Sequence, residues 1–253
     1  MYEFNSRVRY SEIDHHGTLT LPALINYFQD CSTFQSEDVG LGTEVLKAEK
    51  RAWILSYWQV IAERYPALGE RITIGTFPTE FKGLFGNRNF YIKDERGHMI
   101  AKAYSVWVFL DTETGRPVRP EEKDIKPYGM GEALDMPYEG RKISLPEETE
   151  VLEAFPVRRY HIDTNEHVNN CQYVQMALEF LPADRQFRQI RVEYKKSAVL
   201  GDVIYPKRSR EEERTIIELC AENGRPYAVV EIKESRLPFH LMNKINRANF
   251  RHI

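Results

Sequence analysis

Val8-Arg9-Tyr10-Ser11-Glu12-Ile13-Asp14, near the start of the chain, returns as Val157-Arg158-Arg159-Tyr160-His161-Ile162-Asp163 at the start of its second half. Self-similarity on this scale points to two copies of one structural unit. Each closing aspartate is followed within a few residues by a helix pattern. In the first copy Leu21, Leu24, Ile25, Phe28, Cys31 and Phe34 recur every three or four residues and form one apolar stripe. In the second, Tyr173, Val174, Met176, Ala177, Leu178, Phe180 and Leu181 leave almost no polar face, which predicts a helix wrapped by other structure. Matching β-rich runs then follow. Tyr65-Pro66-Ala67-Leu68-Gly69-Glu70 leads into Arg71-Ile72-Thr73-Ile74, as Ser197-Ala198-Val199-Leu200-Gly201-Asp202 leads into Val203-Ile204-Tyr205. Runs broken at Gly97 and Gly224 read as hairpins. A sheet with one apolar face and one apolar helix is satisfied by curling the sheet around the helix. The predicted class is therefore α+β, in two tandem halves, each an antiparallel sheet wrapped around a long central helix. The predicted boundaries are 1–115 and 151–236. Residues 116–150, with Pro117, Pro120, Pro127, Pro137 and Pro146 among many charges, read as an exposed linker, and 237–253 as a tail.

Composition narrows the function classes. At 253 residues and 42% apolar the chain has enough material for real cores. A formal charge of −3, with both signs interspersed, speaks against nucleic acid or a membrane surface as partner. Cys31, Cys171 and Cys220 are far apart and form no metal or redox spacing, which implies a reduced, cytoplasmic setting. The N-terminal residues show no leader pattern, and no stretch reaches the roughly 18 apolar residues that span a bilayer.

Chemistry concentrates in Asp163-Thr164-Asn165-Glu166-His167-Val168-Asn169-Asn170. In an extended segment Asp163, Asn165 and His167 share one face, and Asn169 or Asn170 caps the helix that starts near Cys171. An amide beside helix N–H groups can stabilise an oxyanion. An imidazole with a pKa of about 6.5 can polarise water near neutrality, and a carboxylate can orient its neighbour. The same residue types also serve as turn and cap residues, so spacing alone leaves both readings open. In the first copy Asp14, His15 and His16 remain, but Thr18, Leu19 and Leu21 stand where the second has His167, Val168 and Asn170. The first half then reads as the part that encloses a substrate's apolar portion, with Leu24, Phe28, Trp53, Trp58 and Trp107 as candidate lining; ordinary core packing is the competing reading.

Arg159-Tyr160-His161-Ile162-Asp163-Thr164-Asn165-Glu166-His167-Val168-Asn169-Asn170, with Tyr173 and Glu179, resembles the bacterial and plant acyl-acyl carrier protein (acyl-ACP) thioesterases. So do Asn26-Tyr27-Phe28-Gln29-Asp30 and Val192-Glu193-Tyr194-Lys195-Lys196, and the likeness runs from Val8 to about Lys233. It implies tandem hot-dog domains and hydrolysis of a fatty acyl thioester on acyl carrier protein, with Asp163, Asn165 and His167 catalytic and no cofactor or metal. A glutamate that plant members carry after the strand is replaced by Ser197, which makes Ser197 a candidate auxiliary group. The acidic carrier, with its phosphopantetheine, calls for a basic rim, for which Arg158, Arg159, Arg191, Lys195 and Lys196 are candidates. Three alternatives stay open: a coenzyme A thioesterase, a non-catalytic acyl-thioester binder, and a hydratase or dehydratase, which the asymmetric repeat disfavours. A tandem repeat is compatible with a monomer or a homodimer.

Overall fold

The computed structural model describes residues 1–182 and 187–234, so the predicted tail, 237–253, lies outside the described residues. The chain divides into two compact units, Met1–Val60 with Tyr65–Glu139, and Ile61–Arg64 with the described part of Gly140–Ile253.

The first unit contains β1 (Tyr2–Arg7), α1 (Leu21–Asp38), α2 (Thr43–Ala48), β2 (Arg51–Ala62), β3 (Arg71–Lys82), β4 (Phe85–Asp94), β5 (Met99–Asp111), the two-residue β6 (Arg116–Pro117) and α3 (Glu122–Ile125). Its strands lie in the order β1-β3-β4-β5-β2, and the β1-β3, β3-β4 and β4-β5 pairs are antiparallel. Thr20 starts α1 by accepting from Ala23 N (3.2 Å), and Pro22 sits in the first turn, where its missing N–H costs nothing. The apolar stripe of α1 is buried from Leu21 to Cys31, with Phe34 exposed at its end, and the Phe28 ring lies 5.4 Å from that of Phe90 and 6.1 Å from that of Trp58.

The second unit repeats the plan with β7 (Glu150–Val151), β8 (Phe155–Pro156), α4 (Asn170–Leu178), β9 (Phe187–Tyr194), β10 (Val203–Arg210), β11 (Thr215–Cys220) and β12 (Pro226–Glu234). The order here is β9-β12-β11-β10-β7, antiparallel between neighbours. Tyr194 on β9 donates to Asn170 O (3.0 Å) and stacks edge-on against Tyr173, which fixes α4 to the sheet. Each unit is thus a hot-dog. The second helix is shorter than its apolar pattern predicts: it stops at Leu178, because Pro182 disfavours a helical Leu181. Among the described residues no helix is long and apolar enough to cross a membrane.

The proline-rich stretch is mostly exposed, but it is anchored at a few points. Gln59 on β2 donates to Pro137 O (2.8 Å) and accepts from Glu139 N (3.0 Å), while Asn89 on β4 accepts from Leu134 N (3.1 Å) and from the Tyr138 hydroxyl (3.0 Å). Tyr128, Met136 and Ile143 are buried, Ile143 against Ile216 and Val229 of the second unit's sheet. Proline has no N–H to give a strand ladder, and polar side chains on the sheet bind the backbone of Leu134, Pro137 and Glu139 instead.

Candidate active site

The motif folds as a tight turn held by its own aspartate. Asp163 N donates to His167 O (2.8 Å), Glu166 N to Asp163 O (3.1 Å), and Asn165 N to the Asp163 carboxylate (2.8 Å). Glu166 takes the left-handed conformation, φ 61°. The first unit forms the same turn: Asp14 N donates to Thr18 O (2.9 Å), Gly17 N to Asp14 O (3.0 Å), and His16 N to the Asp14 carboxylate (3.0 Å), with Gly17 at φ 78°. The repeat therefore extends to individual hydrogen bonds. His16 and Thr18 occupy the places of Asn165 and His167.

This geometry corrects the extended-segment expectation. A short acidic side chain binds the amide two residues on and bends the chain, so the three side chains do not line one strand face. Among the described residues no hydrogen bond links the Asp163, Asn165 and His167 side chains to one another. Asn165 and His167 are exposed, and Asp163 is half-buried beneath them. Asn169 then caps α4, its side-chain oxygen accepting from Cys171 N (2.9 Å), as expected for the helix start.

Two neighbouring elements hold the turn in place. Before it, the 3-10 turn Arg159–His161 is closed by His161 Nδ1, which accepts from Arg158 N (2.9 Å). After it, Val168 N donates to Ala198 O (2.9 Å), and His167 bridges to Val199. Ala198 N in turn donates to the Tyr173 hydroxyl (2.7 Å), and Asp202 accepts from Val199 N and the Tyr227 hydroxyl, both at 3.0 Å. Tyr173 and Asp202 thus position the segment that follows Ser197, roles that pattern reading missed. The available signal was a tyrosine on the buried face of α4, since a buried phenol needs a polar partner.

Tyr173→Phe should leave the Ala198 amide buried without an acceptor, a loss of about 1–3 kcal/mol. Urea unfolding measures it, and a change below about 0.5 kcal/mol would reject the tether. His161 adds a pH dependence. Burial first, and the Arg158 charge second, lower its pKa from the ordinary 6.5, and the Nδ1 lone pair that accepts from Arg158 N exists only in the unprotonated ring. Below 6.5 the unfolded chain therefore takes up more protons than the folded one, and stability falls as pH drops through this range toward the folded value. The drop in urea midpoint from pH 7 to 5 should be smaller in His161→Gln; an equal drop would assign it to other groups.

Ser197 is exposed, and among the described residues its hydroxyl has no hydrogen-bond partner, so no base activates it. The cysteines are no better as nucleophiles: burial pushes the Cys31 and Cys171 thiols up to about 12. Of the basic candidates, Arg158, Arg159, Lys195 and Lys196 are exposed, with Lys195 paired to Glu193 and Lys196 over the Tyr227 ring. Arg191 is not a rim residue. It is 6% exposed and binds Glu231 in a two-pronged ion pair, because its register position on β9 faces that carboxylate across the strand pair. In the first unit Leu24, Phe28 and Trp58 are fully buried, whereas Trp53 and Trp107 are half-buried.

Comparison with known proteins gives a consistent result. The family profile of the acyl-ACP thioesterase N-terminal domain matches residues 1–128, and that of the C-terminal domain matches residues 144–233. The chloroplastic acyl-acyl carrier protein hydrolase FATB3 of Cuphea viscosissima is 25% identical over 244 residues, 88% of this chain and 59% of that protein. The chloroplastic oleoyl-acyl carrier protein thioesterase of Coriandrum sativum is 26% identical over 259 residues, 92% of this chain and 69% of that one. Against several of these plant proteins the chain spans little more than half their length. In fold it is similar to an acyl-ACP thioesterase from Bacteroides thetaiotaomicron (TM-score 0.84, 21% identity, 92% of this chain and 97% of that one). A 12:0-ACP thioesterase from Umbellularia californica is also similar (TM-score 0.78, 18% identity, 92% and 96%).

Proposed function

The chain belongs to the acyl-ACP thioesterase family, and we propose that it hydrolyses fatty acyl thioesters of acyl carrier protein to free fatty acid and carrier. The observation that carries this reading is the asymmetry of the repeat: both units keep the aspartate-held turn, but only the second presents an exposed amide and imidazole on it. Asn165 binds the thioester carbonyl oxygen and stabilises the oxyanion that forms there. His167 takes a proton from water as the water oxygen bonds to the carbonyl carbon, then returns it to the departing sulfur as the C–S bond breaks. Asp163 holds the turn rather than the reacting atoms. The first unit, with His16 and Thr18 in the corresponding places, binds the acyl chain.

Fatty acid and thiol release from matched acyl-ACP and acyl-coenzyme A substrates tests the reading. Turnover confined to the carrier substrate supports it; equal turnover on both favours the coenzyme A alternative. Tight binding without turnover on either would favour a binding module, a reading kept in view by the absence of a carboxylate at Ser197. An acidic carrier meeting exposed Arg158 and Arg159 predicts that Arg159→Glu raises KM for acyl-ACP, less so at high salt. An unchanged KM would remove this arginine from the docking surface.

A further inference from the structure

Arg88, on β4 of the first unit, is only 8% exposed, yet among the described residues no carboxylate pairs with it. Its Nη1 donates to Gln35 Oε1 of α1 and to Thr76 Oγ1 (3.3 Å), and its guanidinium lies 5.3 Å from the centre of the Tyr128 ring. Among the described residues Nε and Nη2 donate to no acceptor. Directly across the strand pair stands Ser105, fully buried, whose hydroxyl accepts from Trp107 Nε1 (2.7 Å) and, among the described residues, donates to nothing. Thr76 gives its proton to Asn89 O and Gln35 an amide proton to Tyr128 O, so both turn oxygens toward Arg88, and both oxygens are taken by Nη1. One edge of a nearly buried guanidinium is therefore left without a protein acceptor among the described residues. The contrast with Arg191, buried equally but neutralised by Glu231, is direct.

Removing an ion from water is expensive, and neutral hydrogen bonds with an aromatic face recover only part of that. A carboxylate would use the idle guanidinium edge in charge-assisted bonds. Burial lowers the Arg88 pKa to about 10, which still leaves it cationic near neutrality. Apolar side chains continue away from the guanidinium. Two residues along β4, Phe90 faces α1 and packs on Phe28, and Phe28 and Gln35 lie two turns apart on the buried stripe of α1, about 10 Å along its axis.

We propose that Arg88 and Ser105 form the head of a carboxylate-binding site within the first unit, taking an aliphatic carboxylate whose alkyl chain runs along α1 toward Phe28. Such a carboxylate has two sources. It is either a free fatty acid, which is the product in the reaction proposed above, or the far end of an acyl chain that carries a second carboxyl.

Calorimetric titration of the full chain tests this without turnover, so its failure and that of the thioesterase reading are distinguishable. Decanoate should bind the wild-type protein at least about tenfold more tightly than 1-decanol, and Arg88→Gln should abolish that preference. Ser105→Ala should reduce it several-fold while retaining the cation. Equal binding of acid and alcohol overturns the site, as does a preference that survives Arg88→Gln. Should Arg88→Gln not fold, a preference insensitive to Ser105→Ala overturns it. The second arm, run on His167→Ala so that thioesters are not consumed, compares the monothioester of decanedioic acid with the decanoyl thioester. Tighter binding of the former that depends on Arg88 identifies the far-end carboxyl as the ligand, and dependence seen only with decanoate identifies the free acid.

Discussion

Asn165→Ala is expected to lower kcat on acyl-ACP by about 10²–10³, the usual cost of losing one oxyanion donor, with the unfolding midpoint unchanged. The two halves of that expectation have separate grounds. The Asn165 side chain is exposed and makes no hydrogen bond within the described residues; only its backbone N–H is used, by Asp163. Deleting the amide therefore removes nothing that holds the turn. His167→Ala should cost at least as much, since it removes the proton carrier while its backbone carbonyl still accepts from Asp163 N. If both act on one transition state, the double variant will be little slower than the worse single one. Asp163→Ala should differ in kind: it frees the Asn165 amide and loosens the turn, so kcat and stability should fall together. Wild-type turnover in folded Asn165→Ala would remove the amide from the chemistry and leave the motif as a turn and cap.

The two-unit plan was legible because the repeat carries its physics locally. Asp14 and Asp163 bind the amide two residues on, and a left-handed residue follows at Gly17 or Glu166, so similar residues make the same turn twice. Glycine at that place in one copy also explains why the glutamate in the other adopts so uncommon a conformation. Readings failed where tertiary partners decide. Residues 116–150 are mostly exposed, as their composition suggests, but composition does not show that Gln59 and Asn89, far away in sequence, anchor Leu134, Pro137, Tyr138 and Glu139. Arg191 looks like any surface cation until strand register sets it opposite Glu231. The same-face reading of Asp163, Asn165 and His167 assumed a strand where an aspartate-held turn forms. Arg88 gave no sequence signal at all, because its significance lies in the partner it lacks.

Glu231→Gln should destabilise the protein by about 3–5 kcal/mol, the typical result of breaking a buried ion pair from one side. Glu231 is 1% exposed on β12. Arg191 Nε and Nη2 each donate to it at 2.7 Å, and Arg214 Nη1 donates at 2.7 Å. Burial by itself would raise the Glu231 pKa, yet hydrogen bonds from the two arginines outweigh it and hold the carboxyl below its ordinary value. With a lowered folded pKa, the stability from this group is complete above the unfolded value near 4.5 and is lost as pH falls through the folded one. Glutamine keeps the shape but removes the charge, leaving Arg191 as a buried cation without its carboxylate, although Nη1 still donates to Gly140 O (3.0 Å). Arg214 suffers less, because it also pairs with Glu211 and is partly exposed. Replacing both members of the inner pair, Glu231→Leu with Arg191→Met, should recover most of the loss, since two apolar side chains need no counter-charge. Urea unfolding of the wild type, both single variants and the double closes the cycle. A double variant as unstable as the sum of the singles would show that the arginine and glutamate act separately. Recovery would show that the carboxylate chiefly neutralises a buried arginine, a service that no carboxylate among the described residues performs for Arg88 in the first unit.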